Sequence, residues 1–103
     1  MAGALDDIRV LDLTEPLGHY AGYLLANLGA DVIKVEPPTG DPSRVWEPLL
    51  PNVPEIESGM QFLLMNVGKK GITLDINQKK GKETLLKLLS ETDVLLQSWT
   101  PED

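Results

Sequence analysis

A single histidine limits the chemistry that the side chains of this chain can perform. His19 follows a turn that contains proline and glycine. A Ser-His-Asp triad or a two-histidine metal site would need its other groups from carboxylates. We expect His19 to be an exposed residue at a helix start with a structural or incidental role, because a catalytic histidine normally requires an orienting partner. The sequence assigns no catalytic residue and no metal ligand.

Lysine clusters are the second group of residues that could bind a ligand. Lys69 and Lys70 precede an apolar stretch typical of a strand. In such an acidic chain, a pair of cations is suited to a phosphate group. Lys79, Lys80 and Lys82 fit a phosphate site or, at least equally well, the solvated surface of a helix.

The turn before His19 has some features of a nucleotide site. Gly18 and Gly22 are spaced as G-x-x-x-G, whereas dinucleotide sites use G-x-G-x-x-G, so NAD binding is disfavoured. A helix that begins near Gly18 would still offer free N–H groups and a positive dipole end to a phosphate. Glu36 is placed to hold a ribose hydroxyl, but a solvated loop residue is the favoured interpretation. Trp99 either stacks on a base or belongs to the core.

The spacing of apolar residues predicts the elements that must position these groups. It predicts strands over residues 8–13, 31–36, 71–76 and 93–99, and helices over 18–28 and 78–91. Residues 61–66 are too short for periodicity to distinguish a helix turn from a strand, and a short helix is favoured. Gly29 is expected to end the first helix in a left-handed conformation, and Asn77 to cap the last one. Residues 37–54 are predicted to form a long loop. This order predicts a parallel α/β sheet, whose ligands bind at the carboxyl ends of the strands.

Composition narrows the classes of protein that remain. The 103 residues suffice for one domain, and 42% hydrophobic with 24% charged residues is ordinary for a folded chain. The net charge of −7 disfavours nucleic acid and anionic lipid as partners. There is no cysteine, no apolar run approaches the roughly 18 residues of a membrane span, and the start lacks the pattern of a signal peptide. We therefore expect a cytoplasmic location.

Five segments, taken in order, resemble the successive N-terminal motifs of the class III CoA-transferases. This family includes formyl-CoA transferase, carnitine CoA-transferase and α-methylacyl-CoA racemase. The most specific segment is L-G-A-D-V-I-K-V-E-P-P over residues 28–38. The others are I-R-V-L-D-L-T (8–14), G-D-P-S-R (40–44), N-V-G-K-K-G-I-T-L-D (66–75) and T-D-V-L-L (92–96). The resemblance covers essentially the whole chain.

The resemblance implies a Rossmann-like α/β fold, a parallel sheet with flanking helices truncated at about four strands, in one domain of residues 1–103. It also implies coenzyme A or an acyl-CoA as the ligand and no metal. The residues that match the family's CoA contacts are Pro16, Leu17, Gly18, Pro38, Leu74, Asn77, Ser98 and Trp99.

Three of those positions depart from the family pattern. Relatives often carry a basic residue at the positions of Pro38 and Asn77 and an amide at that of Ser98, so two phosphate-binding charges are missing here. The cations that could replace them are Lys69, Lys70 and Arg44.

The family's catalytic residues correspond to positions beyond Asp103. We therefore expect a CoA-binding N-terminal segment of an enzyme that moves CoA between carboxylic acids, inactive by itself. Two alternatives remain open: a non-catalytic binding or assembly module of the same fold, and a racemase-type relative acting on 2-methylacyl-CoA. A four-stranded sheet with an uncovered edge and apolar face also predicts a homo-oligomer or a complementary chain.

Overall fold

Four short strands alternate with helices in the computed structural model, which describes residues 3–45 and 59–98. The strands are β1 (Arg9–Asp12), β2 (Asp31–Glu36), β3 (Lys70–Thr73) and β4 (Val94–Leu96). The α-helices are α1 (His19–Asn27), α2 (Met60–Met65) and α3 (Lys79–Ser90), and two 3-10 turns lie at Pro16–Gly18 and Pro42–Val45. No helix in this part of the chain is long and apolar enough to cross a bilayer.

The strands form one sheet in the order β3-β2-β1-β4, and every neighbouring pair is parallel. Val10 lies beside Val32 of β2 and Val94 of β4, and Glu36 lies beside Thr73 of β3. The predicted parallel α/β sheet is therefore confirmed. Chain order reverses at β1, so a crevice is expected between the carboxyl ends of β1 and β4.

Each face of the sheet has its own apolar cluster. Val10 and Val32 pack with Leu25 and Ala26 of α1 on one face. Leu11, Leu13 and Val35 pack with the inward side of α3 on the other, formed by Leu85, Leu88 and Leu89. The alternation of side chains along β1 and β2 produces this division, because successive residues point to opposite faces.

Most predicted element bounds are close to the observed ones, and the differences fall at the ends. Gly29 has a φ of 101° and ends α1, as predicted. The cap of α3 is wrong: Gln78 occupies that position without a side-chain hydrogen bond, whereas the Asn77 N–H is bound to Asp75 Oδ1. β4 ends at Leu96, short of the predicted residue 99. Residues 46–58, which include the last part of the predicted long loop (46–54), and Trp99 lie outside the described residues.

Candidate functional site

A cleft of about 590 Å³ opens at the carboxyl ends of β1, β2 and β3. Its volume lies in the range of small-molecule sites. The cleft is lined by three segments that follow these strands and by the ends of the strands themselves: Leu13–Glu15, Val35–Pro42 and Leu74–Asn77. The cleft thus opens at the edge where parallel α/β sheets bind ligands.

Three of the predicted CoA-binding residues lie in this cleft. Pro38, Leu74 and Asn77 all belong to its lining. Leu74 is half-buried and continues the apolar cluster beneath α3, whereas Pro38 and Asn77 are exposed. The structure therefore brings together residues that are 39 positions apart in the sequence.

The other predicted CoA-binding residues follow β1 and β4, the two strands that flank the expected crevice. Pro16, Leu17 and Gly18 form the 3-10 turn after β1. Ser98 follows β4, and its Oγ accepts a hydrogen bond of 2.9 Å from the Glu15 N–H. Glu15 lines the cleft, whereas the residues of this turn and Ser98 are not among those that line it.

None of the three predicted cations lines the cleft. The Lys69 ammonium is buried and lies 2.7 Å from Asp12 Oδ2. Lys70 begins β3, and its Nζ lies 3.0 Å from Asp31. Asp31 begins β2, so this contact lies at the end of β2 that is away from the cleft. Arg44 binds Glu36 through two nitrogens, with distances of 2.9 and 3.0 Å to the two oxygens.

The interpretation of Glu36 as a solvated residue is wrong. Its side chain is buried and makes the bidentate contact with Arg44. The Arg44 guanidinium also lies 4.0 Å from the centroid of the Phe62 ring, a cation–π geometry. Glu36 therefore ties β2 to the following 3-10 turn and, through Arg44, to α2.

The expectation of an exposed His19 is also wrong, because the side chain has 0% exposure. Its Nε2 lies 2.9 Å from Asp41 Oδ2, and its Nδ1 lies 3.2 Å from Asn66 Nδ2. Asn66 Oδ1 accepts from Lys69 Nζ and Asn66 Nδ2 donates to the Phe62 carbonyl, so the amide orientation is fixed. The amide N–H₂ therefore donates to Nδ1, and the His19 Nε2–H donates to Asp41.

Asp41 is the buried carboxylate that is hydrogen-bonded to this histidine. Its Oδ1 accepts from the Ser43 N–H and hydroxyl, at 2.9 and 2.6 Å, and its Oδ2 lies 3.4 Å from Lys34 Nζ. Burial raises the pKa of Asp41, but the hydrogen bonds from His19 and Ser43 outweigh burial and hold that pKa well below its usual range. Asp41 is therefore an ionised structural group at the cleft wall.

Asp12 and Lys69 form a further buried ion pair beneath α1. Asp12 Oδ1 accepts from the Thr14 N–H and hydroxyl, at 2.9 and 2.5 Å. Burial raises the pKa of Asp12, but hydrogen bonds from Lys69 and Thr14 outweigh burial and leave it lowered. A Cβ at Gly22 would lie 2.7 Å from Asp12 Oδ2 and 2.9 Å from Lys69 Cε. Gly22 is thus needed for the close approach of α1 to this pair.

These residues form one buried polar network, defined here as Asp12, Thr14, His19, Lys34, Asp41, Ser43, Asn66 and Lys69. Sequence reasoning missed most of it. The available signal was a charged residue at an inward-facing position of each of two apolar strands, Asp12 and Lys34, with Gly22 nearby. Among the described residues no buried side-chain N or O lacks a partner, so the network is fully satisfied.

The network supports the cleft rather than supplying a reactive group. Lys34 Nζ donates to the Thr14 carbonyl at 2.9 Å, and Thr14 lines the cleft. Asp41 belongs to both the network and the cleft wall. Because its charges are paired, the network holds the segments after β1 and β2 in fixed positions.

The fold and the site together define an α/β protein that places a cleft at the carboxyl edge of a parallel sheet. The model of CoA-transferase family III matches residues 5–103, and the chain belongs to this family.

Two curated relatives illustrate the relationship. The chain is 41% identical over 93 residues to succinyl-CoA:(R)-benzylsuccinate CoA-transferase subunit BbsE of Thauera aromatica, covering 90% of this chain and 23% of that protein. It is 42% identical over 102 residues to formyl-CoA:oxalate CoA-transferase of Streptomyces avermitilis, covering 98% and 24%. The chain therefore spans about a quarter of the length of these relatives.

A solved structure agrees with this assignment. The crystal structure of a CAIB/BAIF family protein from Brucella suis superposes with a TM-score of 0.88 at 37% identity. The match covers 96% of this chain and 26% of that one.

Proposed function

We propose that the cleft binds coenzyme A or an acyl-CoA, as the N-terminal portion of an enzyme that transfers CoA between carboxylic acids. The observation that carries the proposal is the cleft at the carboxyl edge of β1, β2 and β3 in a chain of CoA-transferase family III. Both relatives named above are CoA-transferases by name. Family membership supports the ligand class, and the position of the cleft supports the proposed place of binding.

The lining of the cleft suits the nucleotide and pantetheine parts of CoA. Leu13, Val35 and Leu74 provide apolar surface for the adenine ring or the pantetheine chain. Thr39 and Asn77 are exposed at its rim and offer neutral hydrogen-bonding groups to ribose hydroxyls and amides. Binding would therefore rest on apolar contact together with neutral hydrogen bonds.

We assign no acyl-transfer step to the two buried carboxylates of the cleft, Glu36 and Asp41. A carboxylate nucleophile must reach the thioester carbon with a free oxygen. Asp41 and Glu36 use their oxygens in buried contacts with His19, Ser43 and Arg44. We propose that the 103 residues bind CoA without catalysing transfer by themselves.

Thermal denaturation with CoA or acetyl-CoA tests the binding proposal. A ligand at ten times its Kd stabilises a protein by about 1.4 kcal/mol, which raises the Tm of a chain of this size by about 5–10 °C. We expect such a rise at millimolar ligand. Thr39→Trp should abolish it by filling the cleft, whereas Lys87→Trp, on the exposed side of α3, should preserve it. No stabilisation of the unmodified chain would overturn the proposal.

A transfer assay tests the absence of catalysis. The chain is incubated with succinyl-CoA and a carboxylic acid acceptor, and new thioesters are separated by chromatography. We expect none above the rate without protein. Turnover that persists in a highly purified preparation would contradict this part of the proposal.

A further inference from the structure

A second pocket, of about 560 Å³, adjoins the cleft. Its lining combines the end of β3 and the residues after it with the beginning of α3: Thr73–Asp75, Gln78–Gly81 and Thr84. Leu74 and Asp75 belong to the linings of both the cleft and this adjoining pocket. A ligand in the cleft therefore has beside it a second pocket bordered by two cations, Lys79 and Lys80.

Close packing holds the beginning of α3 against the wall of the cleft. The Gln78 N–H donates to the Asp75 carbonyl at 3.1 Å. Gly81 is buried, and a Cβ at that position would lie 2.6 Å from the Asp75 carbonyl carbon, so the approach requires a residue without a side chain. The Lys79 Cα lies at most about 7 Å from that of Asn77 in the cleft lining, because two residues span no more. The flexible four-carbon stem of a lysine covers most of that distance.

The other cations of the chain are ion-paired or lie outside both linings. All nine Lys and Arg residues fall within the described residues. Three pair with buried carboxylates, two pair with Asp31 and two are exposed on α3 away from both linings: Lys34, Lys69 and Arg44, Arg9 and Lys70, and Lys82 and Lys87. Lys79 and Lys80 remain, exposed and without an ion pair to any residue in 3–45 or 59–98.

The charges of the cleft and of the adjoining pocket differ in sign. The cleft lining contains no Lys or Arg but four carboxylates, of which Glu36 and Asp41 are paired: Glu15, Glu36, Asp41 and Asp75. The adjoining pocket has two ammonium groups against the single carboxylate of Asp75. The neutral parts of CoA therefore fit the cleft, whereas its phosphates are favoured beside the two lysines.

We infer that Lys79 and Lys80 bind phosphate groups of CoA, whose nucleotide end extends from the cleft into the adjoining pocket. This inference rests on the proposed function and assigns its phosphate-binding residues. Each ammonium group has three N–H donors, and a hydrogen bond between an ammonium group and a phosphate oxygen is strengthened by the opposite charges. Because the packing of Gly81 fixes the beginning of α3, both lysines act from a fixed position beside the cleft. The nucleotide end of CoA then lies nearest to α3.

Titration calorimetry of the 103-residue chain with CoA tests the inference through two matched double variants. Lys79→Gln with Lys80→Gln removes both cations of the adjoining pocket, whereas Lys82→Gln with Lys87→Gln removes two exposed cations of α3 outside it. In about 0.1 M salt, where the screening length is about 10 Å, we expect the first double variant to weaken CoA binding at least about fivefold. That factor corresponds to the loss of one attraction between unit charges about 4 Å apart in water. The second should weaken CoA binding about twofold or less.

The salt dependence of the Kd separates a phosphate contact from a change in the shape of the cleft. The Kd of the unmodified chain should rise more steeply with salt than that of Lys79→Gln with Lys80→Gln, which has lost the screened contacts. Lys79→Arg with Lys80→Arg keeps both charges and should bind CoA within about twofold of the unmodified chain.

The outcomes distinguish the inference from the proposed function. CoA binding that is undiminished in Lys79→Gln with Lys80→Gln, equal weakening by the two glutamine pairs, or an unchanged salt dependence would overturn the inference and leave the proposed function standing. Absence of CoA binding by the unmodified chain would overturn both.

Discussion

The two faces of the sheet are built from the same strands and are stabilised in different ways. On the α3 face, Leu11, Leu13 and Val35 pack against leucines, and no directed contact is required. On the α1 face, Val10 and Val32 give way towards the carboxyl edge to Asp12 and Lys34, which are fully buried. Towards the carboxyl edge, the α1 face therefore has a charged network in place of apolar packing, and this network holds the cleft wall in position.

A substitution that removes a buried group destabilises the two faces by different amounts. An apolar cluster that loses a methyl group retains its other contacts, and the cost grows with the cavity that remains. A buried ion pair that loses one partner leaves a charge without compensation, which costs more than the pair contributed.

Removing the Lys69 ammonium should have the largest effect. Lys69→Met leaves the buried Asp12 carboxylate without its cation and is expected to lower the free energy of unfolding by about 3–5 kcal/mol. Urea denaturation measures the change. The double variant Lys69→Met with Asp12→Asn should recover a large part of the loss, because no uncompensated charge remains. A loss below about 1 kcal/mol for the single variant would contradict the buried pair.

Truncating the apolar face should cost somewhat less. Leu11→Ala removes a fully buried side chain from the α3 face and should lower the free energy of unfolding by about 3 kcal/mol through lost burial and a cavity. The same denaturation assay applies. Leu86→Ala, on the exposed side of α3, is the control and should change stability by about 0.5 kcal/mol or less. Similar losses for both leucines would contradict the claim that burial of Leu11 in the apolar cluster stabilises the α3 face.

Acid should weaken the α1 face selectively. The pKa values of Asp12 and Asp41 are lower in the folded chain than their ordinary 3.8, so their stabilisation is fully present above that value. It is lost as the pH falls through about 4 towards the lower folded values. Asp41→Asn should therefore be less stable than the unmodified chain at pH 7, with the difference shrinking as pH falls. Denaturation at stepped pH measures this, and a constant difference would contradict it.

The smallest effect on stability is expected at the exposed apolar residues outside both faces. Leu63, Leu64 and Val67 are exposed on and just after α2, and Tyr20 and Leu24 are exposed on α1. The expected self-association remains a prediction, which light scattering at high protein concentration tests. Leu64→Lys should reduce association while changing stability by about 0.5 kcal/mol or less. A clean monomer of the unmodified chain at all concentrations would contradict it.

The fold was accessible from the sequence because its signals are local. Branched apolar runs indicate the strands, and Gly29 marks the end of α1. The i, i+3, i+4, i+7 spacing of four apolar residues indicates α1 itself: Ala21, Leu24, Leu25 and Leu28. Pro38, Leu74 and Asn77 were placed at one cleft only through the family resemblance. Apolar periodicity gives the face of the sheet for each residue, but it does not bring together separate loops.

The polar network could not be predicted from the sequence, because its contacts join segments that are far apart in the chain. Lys69 lies 57 positions after Asp12, and Asn66 lies 47 positions after His19. A charge within a strand is recognisable, but its partner arrives from a distant segment that only the fold brings close. The sequence therefore predicts an exposed His19 and a solvated Glu36, since a single sequence contains no signal for such pairs.

The Lys34 side chain gives the cleft a mechanical property. It extends from the interior of β2 to the carbonyl of Thr14, in the segment after β1, and lies beside Asp41 in the segment after β2. The Lys34 Nζ therefore links the segment after β1 to the segment after β2, and these two segments form walls of the cleft. A ligand that enters meets walls already ordered, so little of its binding energy is used in freezing the loops.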